Sequence, residues 1–347
     1  MSDPEAQLQV TYAEAIRCAL QDAMDADPAI VLLGQDIAAG FPFGATRELA
    51  ARYGAERVRD TPISEAASMG CAVGAAMTGT RTVVEVDFAG FLLLGLDQLV
   101  NNAAKLRYMS GGQLRVPLLV RVGQGPLGAF AAQHSQSQHA WLASVPGLAL
   151  CAPSDPQDAY ELLRWGLRRQ DPVVFAEDMR LYRARGELVR EPADSAAEIP
   201  RARVVRPGRD ASAVCFGFGR TLALAAAQAL AGEGVELEVL DLRLLAPLDG
   251  EAIARSARHT GRVLCLGDDP LLGGITATLA ATVHEQAPGA RVGRLGARHW
   301  PTPFGSAEAY VYPSAESVAS AVRRLLGAPG EGAGEEIVNG EFRMAAS

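Results

Sequence analysis

The sequence lacks the features of a nucleic-acid-binding or membrane-spanning protein. Its 347 residues include 32 Lys and Arg against 40 Asp and Glu, which gives a formal net charge of −8. No basic run offsets this balance, so a nucleic-acid partner is not expected. The longest apolar stretch without a charge, residues 66–80, is too short and too rich in glycine to cross a bilayer. We therefore expect no membrane partner either.

Cysteine is also scarce, and the thiols are widely separated. The five cysteines are Cys18, Cys71, Cys151, Cys215 and Cys265. An odd number at irregular spacing favours buried free thiols over disulfides or a zinc site. The opening residues, MSDPEAQLQV, have neither the positive nor the apolar region of a secretory signal. Together these features predict a cytoplasmic protein.

Glycine-rich phosphate-binding motifs are missing as well. The sequence has no Walker A motif and no GxGxxG that opens a helix after a strand. The segment LGDDPLLGGITA, residues 266–277, is rich in glycine but has neither the lysine nor the acidic ribose partner of such motifs. A serine hydrolase is disfavoured, because no GxSxG elbow surrounds Ser64, Ser135 or Ser137.

What the sequence does have is a regular alternation of helical and strand patterns. TYAEAIRCALQDAM begins with a capping box, Thr11 to Glu14, and is followed by the short apolar run IVLLG. The same alternation continues through TVVEVDF, PLLVRVG, LALCAP and PVVFAED, and resumes at AVCFGFG. It predicts an α/β protein with two domains, each a mostly parallel sheet with helices on both faces.

The domain boundaries follow from where the alternation stops. Between residues 183 and 205 the pattern gives way to Arg, Glu, Pro and Ala. We therefore expect a first domain at residues 1–183, a linker at 184–205 and a second domain at 206–327. Residues 328–347 are rich in Gly and acidic residues, which predicts a disordered tail.

Two polar residues are candidates for chemistry, although each has a simpler structural interpretation. Glu65 heads a helix of small residues, where an acid can merely interact favourably with the helix dipole. Gly70 and Gly74, four residues apart on that helix, indicate close packing of another backbone. His134, in a loop rich in Ser and Gln, is suited both to hydrogen bonding and to acid–base catalysis. His139 is interpreted as a surface or core-filling residue.

Several segments, in order and at similar spacing, resemble one family. They are RVRDTPISEAASMGCAVGAAMTGTRTVVEVDFAGF, DQLVNNAAKLRYMSGGQ, AAQHSQS, PGLALCAPSDPQDAYELL, DPVVFAEDMRLYR and LEVLDLRLLAPLD. These segments are similar to the beta subunit of the thiamine-dependent decarboxylase component of 2-oxoacid dehydrogenase complexes. The resemblance covers about residues 9–326. It implies a transketolase-like architecture, with a pyrimidine-binding domain followed by a transketolase C-terminal domain.

The resemblance assigns roles to particular residues. In the family, the carboxylate of ISEA, here Glu65, hydrogen-bonds the aminopyrimidine ring of thiamine diphosphate and supplies the proton that activates the cofactor. The histidine of HSQS, here His134, assists transfer of the acyl unit to a lipoyl group. The cofactor-binding residues implied are Gln35, Ile63, Ser64, Glu65, Asp87 and Phe91, and the substrate-facing residues are Phe88, Phe91 and His134. The implied substrate is a 2-oxoacid such as pyruvate or a branched-chain analogue.

The resemblance also implies partners and metal ions. The chain has no G-D-G segment, so the Mg²⁺ that binds the cofactor diphosphate is expected from an alpha subunit, in an assembly of two alpha and two beta chains. The helix after Glu65 is expected to pack in a beta–beta dimer, and a lipoyl acyltransferase core is the expected docking partner. Backbone carbonyls can hold K⁺ in the family. The matching positions are Leu118, Gly166, Leu167, Arg169 and Asp171.

Two departures from the family pattern leave the substrate open. Gln35 stands in place of a usual acid, and Gly90 in place of a usual Asp. Pyruvate, a branched-chain 2-oxoacid, acetoin and a specialised acyl donor all remain possible. The alternative function is a transketolase-like acyl or ketol transferase subunit that delivers its unit to a carrier protein. A non-catalytic partner subunit is disfavoured, because Glu65 and His134 are both present.

Overall fold

A computed structural model describes residues 8–128, 130–190 and 199–327, and these residues form two units. Unit 1 contains the residues up to 125, residues 141–200 and the short segment 243–247. Unit 2 contains residues 126–140, residues 201–242 and those from 248 onward. The chain therefore enters each unit more than once.

Unit 1 is built on a seven-stranded sheet. In spatial order its strands are β12 (Leu244–Ala246), β6 (Ala149–Cys151), β7 (Val173–Asp178), β5 (Leu118–Gln124), β4 (Arg81–Val86), β2 (Ile30–Gly34) and β3 (Val58–Asp60). Only β12 is antiparallel to its neighbour. β5 and β7 are buried at every position, which explains why each begins with an apolar run. Two further strands, β1 (Leu8–Thr11) and β8 (Arg185–Leu188), pair with each other.

Two of the helices in unit 1 begin at capping signals that the sequence shows. The helices of this unit are α1 (Tyr12–Ala26), α2 (Leu49–Tyr53), α3 (Glu65–Met77), α4 (Ala89–Asp97), α5 (Ala104–Met109) and α8 (Pro156–Arg168). The predicted capping box between Thr11 and Glu14 is formed at the start of α1. Asp155 caps α8, and Pro156 occupies its first position. A π-helical segment, Gln98–Ala103, joins α4 to α5.

Unit 2 has a five-stranded sheet. Its order is β14 (Arg291–Ala297), β13 (Arg262–Pro270), β10 (Ala211–Cys215), β11 (Leu237–Asp241) and β9 (Arg203–Arg206), with only β9 antiparallel. The helices are α6 (Ala131–His134), α9 (Phe218–Ala231), α10 (Gly250–Thr260), α11 (Ile275–Gln286) and α12 (Ala315–Leu326). α7 (His139–Ala143) begins within segment 126–140 and continues into unit 1. No helix in the described parts of the chain is long and apolar enough to cross a membrane.

The predicted fold class is confirmed, since both units are mostly parallel sheets flanked by helices. The observed division into units is more complex than the linear order of domains predicted from the sequence. Segment 126–140 clusters with unit 2 although it lies within the predicted first domain, and 243–247 clusters with unit 1 because β12 pairs with β6. Residues 184–205, predicted to be a linker, contain β8 and most of β9. The predicted tail, 328–347, lies outside the described residues.

The cysteines differ in exposure. All five are free thiols. Cys151, Cys215 and Cys265 are buried, as predicted, whereas Cys18 is half-buried. Cys71 is exposed on α3, so the prediction of a buried thiol was wrong there. The pattern of small residues on this helix does not distinguish a face packed on the sheet from a face that contacts solvent.

Candidate active site

Acidic side chains gather at the carboxyl ends of three neighbouring strands in unit 1. β4, β2 and β3 lie side by side and parallel. Asp87 follows β4, Asp36 follows β2, and Glu65 begins the helix after β3. Ligands of open α/β sheets bind beyond this edge, so the topology itself brings the predicted residues of unit 1 to one place.

Glu65 is the first residue of α3 and is half-buried. Among the described residues, no hydrogen bond or ion pair engages its carboxylate, and Ser64 before it makes no side-chain cap. α4 packs closely here. A Cβ on Gly95 would lie 3.1 Å from the backbone oxygen of Glu65, closer than most side-chain carbons approach, so glycine favours the close packing of the two helices. Within the described chain, no cap involving the Glu65 carboxylate is formed at the start of α3.

Asp87 provides the second carboxyl group of this edge. Its Oδ1 is buried and has no hydrogen-bond partner among the described residues. Burial, followed by the negative charges of Asp36 and Glu65, raises the pKa of Asp87 to about 6. A buried oxygen without a partner is costly, and a protonated ligand nitrogen would relieve that cost. These carboxyl groups therefore fit an amine-bearing heterocycle such as the aminopyrimidine of thiamine diphosphate.

An aromatic cluster borders Asp87. Phe88 contacts Phe91 edge-to-face with ring centroids 5.8 Å apart, and it contacts Phe43 at 5.9 Å. Phe43 in turn stacks on Tyr182 at 4.3 Å. The cluster therefore forms a hydrophobic wall directly after the buried carboxyl group.

A buried ion network lies just before Asp87 along β4. Arg121 on β5 donates two hydrogen bonds to Glu177 on β7, at 2.7 and 2.9 Å, and also pairs with Glu85 on β4. Tyr182 Oη donates to Glu177 at 2.8 Å. Burial raises the pKa of Glu85 to about 7. Sequence reasoning missed this network, although charged letters inside VVEV, LVRV and FAED signalled it.

The remaining predicted cofactor residues lie near the same edge with looser contacts. Gln35 follows β2 and donates only a long hydrogen bond, 3.5 Å, to Asp36. Asp36 has a positive φ of 52°. Ile63 is 75% exposed in the loop before α3.

His134 belongs to unit 2. It ends the short helix α6, and its ring lies 6.2 Å from that of Phe130. Tyr312 Oη donates to the carbonyl of the next residue, Ser135, at 2.6 Å. Residues 135–137 line one side of a cavity of about 460 Å³, and residues 297–302 line another. The predicted helix after His134 is only the short α7, which begins at His139.

His139 is buried, and its Nδ1 lies 2.7 Å from Asp269 Oδ1. His139 therefore lies in the core, as one of the two predicted interpretations holds, but it also has a buried acidic partner that the sequence did not predict. No local pattern could have found this pair, because its members are 130 residues apart.

Two of the five predicted potassium ligands are already bound by a side chain of the same unit. Arg81 Nη1 lies 2.5 Å from the carbonyl oxygen of Leu167 and 2.8 Å from that of Arg169. The carbonyl of Gly166 accepts the amide of Arg169. Because a guanidinium nitrogen already binds the carbonyl oxygens of Leu167 and Arg169, these two predicted ligands are not available to K⁺.

The position of Arg81 has a simple electrostatic reason. Leu167 and Arg169 lie at the end of α8, where carbonyl groups lack partners within the helix and carry the negative end of its dipole. Arg81, at the start of β4, supplies a fixed positive charge there and also pairs with Asp27 at 3.4 Å. Within the described residues, no group of three or more His, Cys, Asp or Glu side chains could hold a metal ion.

Comparison with protein families defines the class. Residues 9–185 match the family "Transketolase, pyrimidine binding domain", and residues 201–318 match "Transketolase, C-terminal domain". The solved structure of a split-gene transketolase, an inactive beta4 tetramer, has the same fold, with a TM-score of 0.72 at 23% identity. That match covers 91% of this chain and 98% of the other. The protein is thus transketolase-like.

More similar relatives narrow the class further. The chain is 37% identical to the acetoin:2,6-dichlorophenolindophenol oxidoreductase subunit beta of Cupriavidus necator, over 90% of this chain and 96% of that one. It is 37% identical to the mitochondrial pyruvate dehydrogenase E1 component subunit beta-1 of Arabidopsis thaliana, over 91% and 89%. It is 39% identical to the 2-oxoisovalerate dehydrogenase subunit beta of Bacillus subtilis, over 80% and 84%. The chain belongs to the family of 2-oxoacid dehydrogenase beta subunits.

Asp87→Asn should stabilise the purified chain more at pH 7.5 than at pH 5. The folded-state pKa of Asp87 is raised above its ordinary 3.8, so stability is lost as the pH rises through about 6 and the buried carboxyl ionises. An amide of the same shape avoids that loss. Calorimetric melting at both pH values measures the difference. Asp36→Asn, which removes a neighbouring charge, should reduce the effect, whereas an equal benefit of Asp87→Asn at both pH values would contradict it.

Melting of the purified chain should not depend on whether the buffer contains K⁺ or Na⁺. Arg81→Met should lower the melting temperature by several degrees, since losing hydrogen bonds from a charged donor costs about 1.5–3 kcal/mol. Arg59→Met, which removes an exposed ion pair with Glu56, is the matched control and should change little. Stabilisation of the unmodified chain by K⁺ alone would show that a potassium site exists after all.

Proposed function

We propose that this chain is the beta subunit of a thiamine diphosphate-dependent 2-oxoacid dehydrogenase component. The assembled enzyme decarboxylates a 2-oxoacid and passes the acyl unit to a lipoyl group. One observation carries the proposal. Among the described residues, neither the Glu65 carboxylate nor Asp87 Oδ1 has a hydrogen-bond partner. They lie beyond the ends of β3 and β4, which flank β2 in the sheet, in a chain of this family.

Glu65 is proposed to hold a proton on the aminopyrimidine of the cofactor. When bound, thiamine diphosphate supplies the electron sink for decarboxylation. A carboxyl group fits the protonating role because it can both donate and accept, whereas an amide cannot give up its proton. Asp87, whose pKa lies near 6, can hold or release a proton close to neutral pH at the same edge.

The aromatic cluster and His134 are proposed to serve the substrate. Phe88 and Phe91 would exclude water from the reacting 2-oxo group, since both belong to the wall that borders Asp87. His134 would deliver a proton as the acyl unit is transferred and the lipoyl disulfide opens. An imidazole suits this step because its ring nitrogens can both donate and accept a proton.

The other half of the site is proposed to come from an alpha subunit. Mg²⁺ and the cofactor diphosphate need oxygen ligands that this chain does not supply as a G-D-G segment. The assembly would contain two alpha and two beta chains. Support for a beta–beta contact comes from α3, where Ala66, Ala67 and Cys71 are exposed and a Cβ on Gly74 would meet no atom within 4 Å. Such a small-residue face allows close helix approach.

The substrate is proposed to be pyruvate or a branched-chain 2-oxoacid. The names of the relatives include acetoin, pyruvate and 2-oxoisovalerate, at similar identity. Both residues that depart from the family pattern lie near Asp87: Gln35 follows β2 at the same edge, and Gly90 lies between Phe88 and Phe91 in the sequence. Steady-state assays of the assembled enzyme with each compound would distinguish these substrates.

Glu65→Gln in the assembled enzyme should reduce decarboxylation by about 10²- to 10⁴-fold, the usual contribution of a general acid. Fold and assembly should be unchanged, because α3 does not use this carboxylate as a cap. Decarboxylation is followed with an artificial electron acceptor, and assembly by gel filtration. Glu316→Gln, at an exposed first-turn acid of α12, is the matched control for the helix dipole. Near-normal turnover of the Glu65 variant would show that Glu65 only interacts with the helix dipole and does not take part in catalysis.

His134→Ala should reduce the overall reaction with the lipoyl acceptor far more than decarboxylation with an artificial acceptor. The reason is that His134 is proposed to act only in acyl transfer, at a scale of about 10²-fold or more. Parallel assays of both reactions measure the ratio. His134→Asn keeps some hydrogen bonding without titration and controls for loop order. Small, equal losses in both assays for both variants would remove His134 from the site.

A further inference from the structure

The sheet of unit 2 has a switch point between β10 and β13. β10 is followed along the chain by β11 on one side, and β13 and β14 lie on the other side, all four strands being parallel. In open α/β sheets, a crevice opens beyond the carboxyl ends at such a point and commonly receives a ligand. Phe216 directly follows β10, and Asp269 lies near the end of β13, so both border this crevice.

A side chain of the same unit occupies the crevice. His139 Nδ1 lies 2.7 Å from Asp269 Oδ1, and its ring packs edge-to-face against Phe216 with centroids 4.9 Å apart. Only 6% of His139 and 2% of Asp269 is exposed. The His139 ring thus fills the crevice between β10 and β13, where a small ligand would otherwise bind.

Asp269 makes a second set of contacts that fix its orientation. Its Oδ2 accepts the backbone amide of Ala140 at 3.0 Å and that of Ile275, the first residue of α11, at 3.3 Å. Burial alone would raise the pKa of this carboxyl, but His139 and the two amides hold it below its ordinary value. The carboxylate therefore stays charged and joins segment 126–140 to the start of α11.

The segment that carries His134 is anchored on both sides. Gly128 donates its amide to Glu308 at 3.1 Å, and the Ser135 carbonyl accepts Tyr312 Oη at 2.6 Å. The His139–Asp269 pair provides the third and most buried anchor, five residues after His134.

We propose that the His139–Asp269 pair is a positioning pair, which holds the His134 segment in place by filling the switch-point crevice of unit 2. His139 acts through the backbone and does not react itself. The link to acyl transfer rests on the function proposed above for His134, whereas the anchoring of the segment does not depend on that function.

His139→Leu in the assembled enzyme tests the pair. Leucine keeps contact with Phe216 but cannot donate to Asp269. Amide hydrogen exchange of residues 130–140 should become at least about tenfold faster, the scale of a lost hydrogen bond to a charged group. The ratio of the overall reaction to decarboxylation should fall by about tenfold.

A conservative variant separates the hydrogen bond from general loss of structure. The amide nitrogen of Asn lies as many bonds from Cβ as Nδ1 of His does, so His139→Asn should restore exchange and the activity ratio to within about threefold of normal. Asp269→Asn, which loses the charge, should behave like His139→Leu. His284→Leu, on the exposed side of α11, is the control and should change neither measurement.

The outcomes distinguish the pair from the role of His134. Unchanged exchange in His139→Leu, or no rescue by His139→Asn, would overturn the positioning pair. Faster exchange with an unchanged activity ratio would also overturn it, provided that His134→Ala lowers the ratio. A third outcome separates the two proposals. If amide exchange rises in His139→Leu but neither His139→Leu nor His134→Ala lowers the activity ratio, the anchoring stands and the proposed function of His134 fails.

Discussion

Arg121 is the charge on which the arrangement of unit 1 depends. It is 1% exposed in the middle of the sheet and binds carboxylates of the two strands on either side. Removing one partner of such a buried network leaves an uncompensated charge, which costs several kcal/mol, about 3–5 in measured cases. The network therefore fixes the register of β4 against β5 and β7. Because Asp87 lies two residues after Glu85, that register also fixes where Asp87 emerges at the edge.

The edge beyond this network is electrostatically unfavourable without a ligand. Asp36, Glu65 and Asp87 repel one another, and Asp87 responds with a raised pKa. No basic side chain in the described residues bonds to Glu65 or to Asp87 Oδ1. Function explains why such an arrangement persists, since buried carboxyl groups without partners are suited to a ligand that brings its own protonated nitrogens. The well-packed core of the sheet offsets the instability of this edge.

The fold followed from local signals, and much of the site did not. The capping box at Thr11, the Pro at the start of α8 and the apolar run of β5 each act within a few residues, so the sequence predicted those elements. The Glu65 helix start was predicted for the same reason, but its catalytic role came only from the family resemblance. Arg81 and His139 were missed, because their partners lie 86 and 130 residues away and no periodicity relates them.

Arg81 and Asp269 each place a charge at a helix end where that charge interacts favourably with the helix dipole. Arg81 places a positive charge at the carbonyl end of α8, and Asp269 places a negative charge at the amide end of α11. Each side chain is held by a second group, Asp27 in one case and His139 in the other. Neither contact needs a bound ion or ligand, so the helix ends are ordered before any substrate arrives. Because the ordering of such a site is completed during folding, binding energy remains available for the reaction.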